Sequence, residues 1–217
     1  MKLYIIRHGE TAWNKKLLLQ GQTDIPLNDN GRKLAQVTAR ALQNIPFDLC
    51  ITSPLKRAKE TAEIVLKDRC IPLLEDARIQ EICFGTYEGR RVKDENGVLT
   101  DPVFQNFFSH PERFIPPEGA ESLQQLLTRT AVFMEELSKK TALTDKSILI
   151  STHGAASRAL LSYLKGTELS DFWDGCVPPN CAVTIAELIT QTDHRKEKTH
   201  TQHWEIIEQD KIYYENC

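Results

Sequence analysis

Three short apolar runs, each stopping at polar chemistry, constrain the fold of this chain more than any other feature. Leu3 to Ile6 ends in Arg7-His8-Gly9, Asp48 to Thr52 (DLCIT) in Ser53-Pro54, and Lys146 to Thr152 (KSILIST) in His153-Gly154. Brief runs of this kind suit strands buried in a sheet. The second run is followed by LKRAKETAEIVL and the third by AASRALLSYL, both with helical apolar spacing. Strands alternating with amphipathic helices predict an α/β sandwich with a largely parallel sheet. Ser53 is expected to cap the helix after the second strand, with Pro54 at its first position.

The remaining segments fit around that frame. Gly89 to Pro117 reads as irregular and aromatic, with Phe104, Phe107, Phe108 and Phe114, and Ala120 to Thr141 as one long helix. Together they are expected to form an excursion that roofs the site. CAVTIAELI and HWEIIEQ read as strands flanking TQTDHRKEKTHTQ, so a hairpin should close the sheet, with His194, His200 and His203 in a solvated turn. At 217 residues the default is a single domain spanning 1–217, with residues 89–145 as a partly helical insertion.

Bulk composition excludes more than it selects. A net charge of −3 gives no reason to expect nucleic acid or an anionic membrane as partner. No stretch reaches the length needed to span a bilayer, and Leu3 to Ile6 is far short of a signal-peptide core, so a cytoplasmic location is expected. Cys50, Cys70, Cys83, Cys176, Cys181 and Cys217 form no CxxC pair and read as packing residues. The oligomeric state is not legible.

In open parallel sheets ligands sit beyond the carboxyl ends of the strands, where helices begin. Here those ends carry Arg7-His8, Arg57 in the first turn of its helix, and His153, while ARIQEICFGTYEG delivers Glu81 and Glu88 around a glycine turn. A zinc site of His8, His153 and Glu81 fits by residue type. Two arginines at one rim oppose a dication, however, and suit a phosphate dianion, whose oxygens each guanidinium can grip in pairs. A neutral imidazole can attack phosphorus and hold it as phosphohistidine, and the arginines can stabilise the equatorial oxygens. A carboxylic acid must then protonate the departing alkoxide.

RHGETAWN at Arg7–Asn14, QGQTDIPLNDNG at Gln20–Gly31, TSPLKRAKETA at Thr52–Ala62, QEICFGTYEG at Gln80–Gly89, PPEGAES at Pro116–Ser122 and STHG at Ser151–Gly154 together resemble the histidine phosphatase superfamily, in its phosphoglycerate mutase-like branch. The resemblance implies a three-layer α/β/α sandwich with a mostly parallel mixed sheet of about six strands and a helical excursion over the active site. It implies His8 as nucleophile, Arg7, Arg57 and His153 as the rest of the phosphate pocket, and Glu81, four residues before the glycine of the FG turn, as proton donor. Asn14 matches a phosphoryl contact, Gln20 and Gly21 line the substrate entrance, and the Gly154 N–H is a further donor. No metal and no cofactor are implied. Tyr87 stands where tryptophan is common and Ala120 where a second glycine is common, departures that bear on substrate preference.

The expected activity is hydrolysis of small phosphomonoesters, of the broad-specificity or alpha-ribazole type, releasing inorganic phosphate. The alternative is phosphoglycerate mutase, whose family members carry an additional basic segment. Here Glu81 to Gly119 contains only Arg90, Arg91, Lys93 and Arg113 as cations. An inactive phospho-binding module is disfavoured because both nucleophile and acid are present. Phe104, Phe107, Phe108 and Trp173 read as core or as cleft lining, and LSDFWDGCVPPN as a closing segment or as a plain loop.

Overall fold

The computed structural model describes residues 1–94, 96–173, 176–193 and 199–215. In chain order the elements are β1 (Lys2–Arg7), α1 (Ala12–Lys15), α2 (Asp29–Ala41), β2 (Leu49–Thr52), α3 (Lys56–Leu66), β3 (Leu73–Glu75), α4 (Pro102–Ser109), α5 (Leu123–Ser138), β4 (Ser147–Thr152), α6 (Gly154–Lys165), β5 (Val183–Asp193) and β6 (Thr199–Lys211). The three apolar runs are β1, β2 and β4. They belong to a six-stranded sheet in the order β3-β2-β4-β1-β5-β6. β1, β2, β3 and β4 run parallel, and β5 and β6 are antiparallel to their neighbours.

Alternating side chains on these strands supply two cores. Leu3, Ile5, Ile148 and Ile150 pack with Phe133, Met134 and Leu137 of α5 and Leu160 of α6. Tyr4, Ile6, Cys50 and Leu149 pack on the other side with Ala35 of α2 and Ala62 and Val65 of α3. Burial on both faces explains why the strands are apolar without alternation. The result is the expected three-layer sandwich. Among the described residues no helix is long and apolar enough to cross a membrane.

A third core, built on Phe84, Phe104, Phe107, Leu123, Leu126, Ala155 and Ala159, joins the 89–145 segment to the start of α6. The segment read as irregular contains α4, which Asp101 caps by accepting the Val103 N–H, with Pro102 in the first turn. Phe104, Phe107 and Phe108 sit at helical spacing, so the aromatics that suggested irregularity are its packing face. The long helix is shorter than expected. Ser122 and Gln125 form a capping box at its start, leaving Ala120 and Glu121 outside.

Two further expectations require correction. α3 begins at Lys56 with Leu55 at its N-cap position and no side-chain cap. The Ser53 hydroxyl instead accepts from the Leu55 N–H at 3.3 Å, ahead of the helix, and lies 2.7 Å from His153 Nε2. The closing hairpin is present, but β6 starts at Thr199, so His200 and His203 belong to a strand paired with Thr192 and Ile189 and not to a turn. The histidine at position 194 and the cysteine at position 217 lie outside the described residues.

Phe104 is fully buried and touches the rings of Phe84, Phe107 and Phe114. Phe104→Ala is expected to cost about 3–5 kcal/mol, measured by urea denaturation.

Candidate active site

Register places the candidate residues. Arg7 pairs with Thr152 across β1 and β4, and the His8 N–H donates to the Thr152 carbonyl at 2.9 Å. His8 and His153 therefore leave adjacent strands side by side, with ring centroids 5.1 Å apart. The Ser53 N–H donates to the Ser151 carbonyl at 2.9 Å, which brings the end of β2 alongside, and α3 follows with Arg57 in its first turn.

His8 Nδ1 lies 2.7 Å from the Gly9 carbonyl. A carbonyl only accepts, so Nδ1 carries the proton and Nε2 presents its lone pair. Arg57 Nε–H donates to that Nε2 at 3.3 Å, and its other nitrogens donate to the Gly21 carbonyl at 2.6 Å and the Thr23 carbonyl at 3.0 Å. Burial pushes the His8 imidazole well below its ordinary pKa of 6.5, and Arg57 and Arg7 push it further. His153 is lowered well below 6.5 by burial first and then by Arg57, His8 and Arg7. Both rings are neutral at physiological pH. Burial also lowers Arg57 to about 10, which leaves it charged.

Glu81 enters from the segment before the FG turn and spans the N-terminus of α6. Its carboxylate accepts from the Ala155 N–H at 3.2 Å, the Ala156 N–H at 3.0 Å and the Ile82 N–H at 3.0 Å. A β-carbon placed on Gly154 would stand 3.4 Å from Glu81 Oε2 and 3.8 Å from Arg7 Nε, so carboxylate and guanidinium face one spot. Arg7 NH1 is held by the Pro178 carbonyl. Arg7 Nε, Gln20 Nε2 and His153 Nδ1 are buried and find no hydrogen-bond partner among the described residues. Unmatched polar atoms of this kind are costly unless a ligand takes them.

The remaining sequence candidates sort clearly. Arg7, Asn14, Gln20, Glu81 and Gly154 line a cavity of about 340 Å³ together with Phe107, Phe108 and Trp173. His8, Arg57 and His153 adjoin that group but do not line the cavity. Asn14 Oδ1 accepts from the Thr11 N–H at 3.1 Å, which fixes the turn after the RHG motif. Gly21 has no room for a side chain: a β-carbon there would lie 2.2 Å from Glu88 Oε1 and 2.7 Å from the Ile82 carbonyl. Glu88, the rival acid, is consumed by the N–H groups of Gln22, Thr23 and Phe84 and by the Thr23 hydroxyl. Glu75 pairs with Lys59 at the sheet edge, and Glu10 accepts from Asn28 rather than pairing with Arg7. A larger open groove of about 920 Å³ between α2 and α3 shares none of these residues.

Sequence reasoning missed Ser53 as the partner of His153, Asn180, whose amide donates to the His8 carbonyl at 2.9 Å, and Arg129. Arg129 reaches from α5 to the carbonyls of Arg78, Gln80 and Glu81 and pairs with Glu121 at 2.6 Å. It thereby ties down the backbone that presents Glu81. A signal was available, since Arg129 is a cation at helical spacing from Leu126 and Phe133 on an otherwise apolar face.

An α/β sandwich with two arginines, two neutral imidazoles and a carboxylate at the ends of its parallel strands has the build of a phosphoryl-handling protein. The chain belongs to the histidine phosphatase superfamily, branch 1, whose sequence profile matches residues 3–201. It is 34% identical over 162 residues to the uncharacterized phosphatase PhoE of Bacillus subtilis, covering 75% of this chain and 76% of that protein. It is 30% identical to a 2,3-bisphosphoglycerate-dependent phosphoglycerate mutase of Lachnoclostridium phytofermentans, covering 82% and 83%. The crystal structure of a phosphoserine phosphatase from Entamoeba histolytica in complex with 3-phosphoglyceric acid superposes with a TM-score of 0.76 at 27% identity, covering 97% of each chain.

Two outcomes follow. His8 and His153 are held neutral when folded, whereas the unfolded chain protonates histidine near 6.5. Their contribution to stability is therefore complete above pH 6.5 and lost as pH falls below it, by up to about 1.4 kcal/mol per pH unit for each ring. Urea midpoints between pH 7 and pH 5 should fall accordingly, and less steeply in His153→Asn. Arg129→Met removes the cation facing Glu121 and the donor to the Arg78 and Gln80 carbonyls, while Glu121 keeps the Cys83 N–H and the Glu81 carbonyl keeps the Gln22 amide; it should cost about 2–4 kcal/mol in the same assay, the pair being only partly exposed.

Proposed function

We propose that the protein hydrolyses phosphomonoesters of small metabolites through a phosphohistidine intermediate on His8. The observation that carries the reading is the His8 tautomer: the Gly9 carbonyl holds the Nδ1 proton, so Nε2 aims a lone pair among Arg7, Arg57 and His153. Nε2 attacks phosphorus and the P–O bond to the alcohol breaks, with its electron pair leaving on the alkoxide. Glu81 delivers the proton that alkoxide needs. Water then attacks the phosphohistidine, returns a proton to Glu81, and releases inorganic phosphate and free His8. Arg7 and Arg57 grip the non-bridging oxygens; Arg57 gives up His8 Nε2, which frees the lone pair for attack, and exchanges the Gly21 and Thr23 carbonyls for those oxygens. Asn14, Gln20 and the Gly154 N–H complete the binding surface, and no metal takes part.

Hydrolysis is favoured over transfer between positions of a phosphoglycerate because few cations meet a second acidic group. Of Arg90, Arg91, Lys93 and Arg113, Lys93 alone lines the cavity. The similarity to the Lachnoclostridium phytofermentans mutase keeps mutase activity as the second reading. The chain is read as one domain working in the cytoplasm.

The test is rapid quenching with a generic phosphomonoester in the presence of a chelator. An acid-labile, base-stable phosphoenzyme should accumulate, and His8→Ala should abolish it while lowering kcat/KM by roughly 10³-fold or more. Loss of turnover in chelator would overturn the reading. Glu81→Gln should cost about 10²-fold or more on alkyl esters and far less on p-nitrophenyl phosphate, whose leaving group needs no proton. With 3-phosphoglycerate and its bisphosphorylated primer, 2-phosphoglycerate appearing faster than phosphate would decide for the mutase.

A further inference from the structure

We propose that the alcohol released by this enzyme carries a flat apolar ring system, and that Leu17, Phe108 and Trp173 form the subsite that holds it. The proposal rests on the phosphatase reading and names its leaving group.

The cavity is divided in character. Arg7, Gln20, Glu81 and Asn180 supply polar groups for one phosphoryl group, and much of the rest is hydrocarbon and ring, with Leu17, Leu18, Val92, Phe108, Trp173 and Val177. Its volume of about 340 Å³ is at the low end of the ~300–1,000 Å³ found for small-molecule clefts. The space suits a ring system and its phosphate and little more.

The aromatic wall is preorganised. Trp173 Nε1–H donates to the Phe107 carbonyl, which fixes the indole plane. Phe108 lies 5.1 Å from the Trp173 ring at 33°. Phe107 behind them is buried and packs edge-on against Phe84 and Phe114. A wall that does not reorganise on binding loses little affinity to ordering.

Leu17 is an independent pointer. It lines the cavity with 41% of its surface exposed and a left-handed backbone, φ 56°. Leucine rarely adopts that conformation, so chain geometry aims an apolar side chain at the cavity at the expense of local strain. A ring seated there would cover both Leu17 and the wall.

Charge argues the same way. Besides Arg7, Lys93 is the one cation among the described lining residues, and its ammonium is engaged 4.4 Å over the Phe108 ring. A carboxylate placed beside the phosphoryl group would meet Glu81, and among the described lining residues it would find no cation besides Arg7 and the engaged Lys93.

The test compares 2-(1-naphthyl)ethyl phosphate with propyl phosphate, alkyl esters whose leaving alcohols have similar basicity. Naphthylethyl and propyl phosphonates serve as unhydrolysable probes in calorimetric titration. The naphthylethyl ester should exceed propyl phosphate in kcat/KM by roughly 10-fold or more, with the phosphonate affinities in the same order. Phe108→Ala should compress both ratios, as should Leu17→Asn, which tolerates the left-handed backbone. Equal affinities of the two phosphonates would overturn the subsite. Absence of hydrolysis with the phosphonate ranking intact would overturn the phosphatase reading and leave the subsite standing.

Discussion

The parallel pairing of β1 with β4 is the constraint on which the rest depends. Its register sets Arg7 against Thr152, so the residues that follow, His8 and His153, emerge at the same edge from segments 145 positions apart in the chain. Strands buried on both faces are held in register by their cores, because a slip of one residue would exchange Leu3 and Ile5 with Tyr4 and Ile6 between two different helical layers. Stability and chemistry thus share one cause.

At that edge the protein concentrates cations where water is scarce. Arg57 is buried and Arg7 half-buried, and their charge together with burial of the rings keeps both imidazoles neutral. Arg7 Nε and His153 Nδ1 find no hydrogen-bond partner among the described residues, which leaves polar groups at this edge open to a ligand. Meanwhile Arg57 rests on the carbonyls of Gly21 and Thr23, in a loop that Glu88 pins from the other side. Supports of this kind reach outward: Arg129 and Glu121 brace the backbone of Glu81, and Ser53 braces His153.

Where sequence reading failed, the failures have physical reasons. Ser53-Pro54 has the pattern of a helix start, yet the hydroxyl belongs to a histidine a hundred residues away in sequence, and no local rule contains that partner. The aromatics of 104–108 looked irregular because a single-turn spacing of phenylalanines is ambiguous until α6 provides the surface they cover. His200 and His203 looked like turn residues because their neighbours are polar; in the hairpin they pair across to β5, and backbone pairing needs no apolar side chain.

The sequence by itself determined the α/β class, the apolar strands and the identity of the residues at their ends, since burial on two faces and helical spacing are written in residue order. It also identified the family, because six motifs in order leave little freedom. Only the tertiary structure decided which nitrogen of His8 carries its proton, that the Glu88 carboxylate is taken up by N–H groups and a hydroxyl, and that an aromatic wall with an exposed Leu17 faces the polar rim. Those depend on donors and acceptors brought together through space, and a chain's order does not contain a distance.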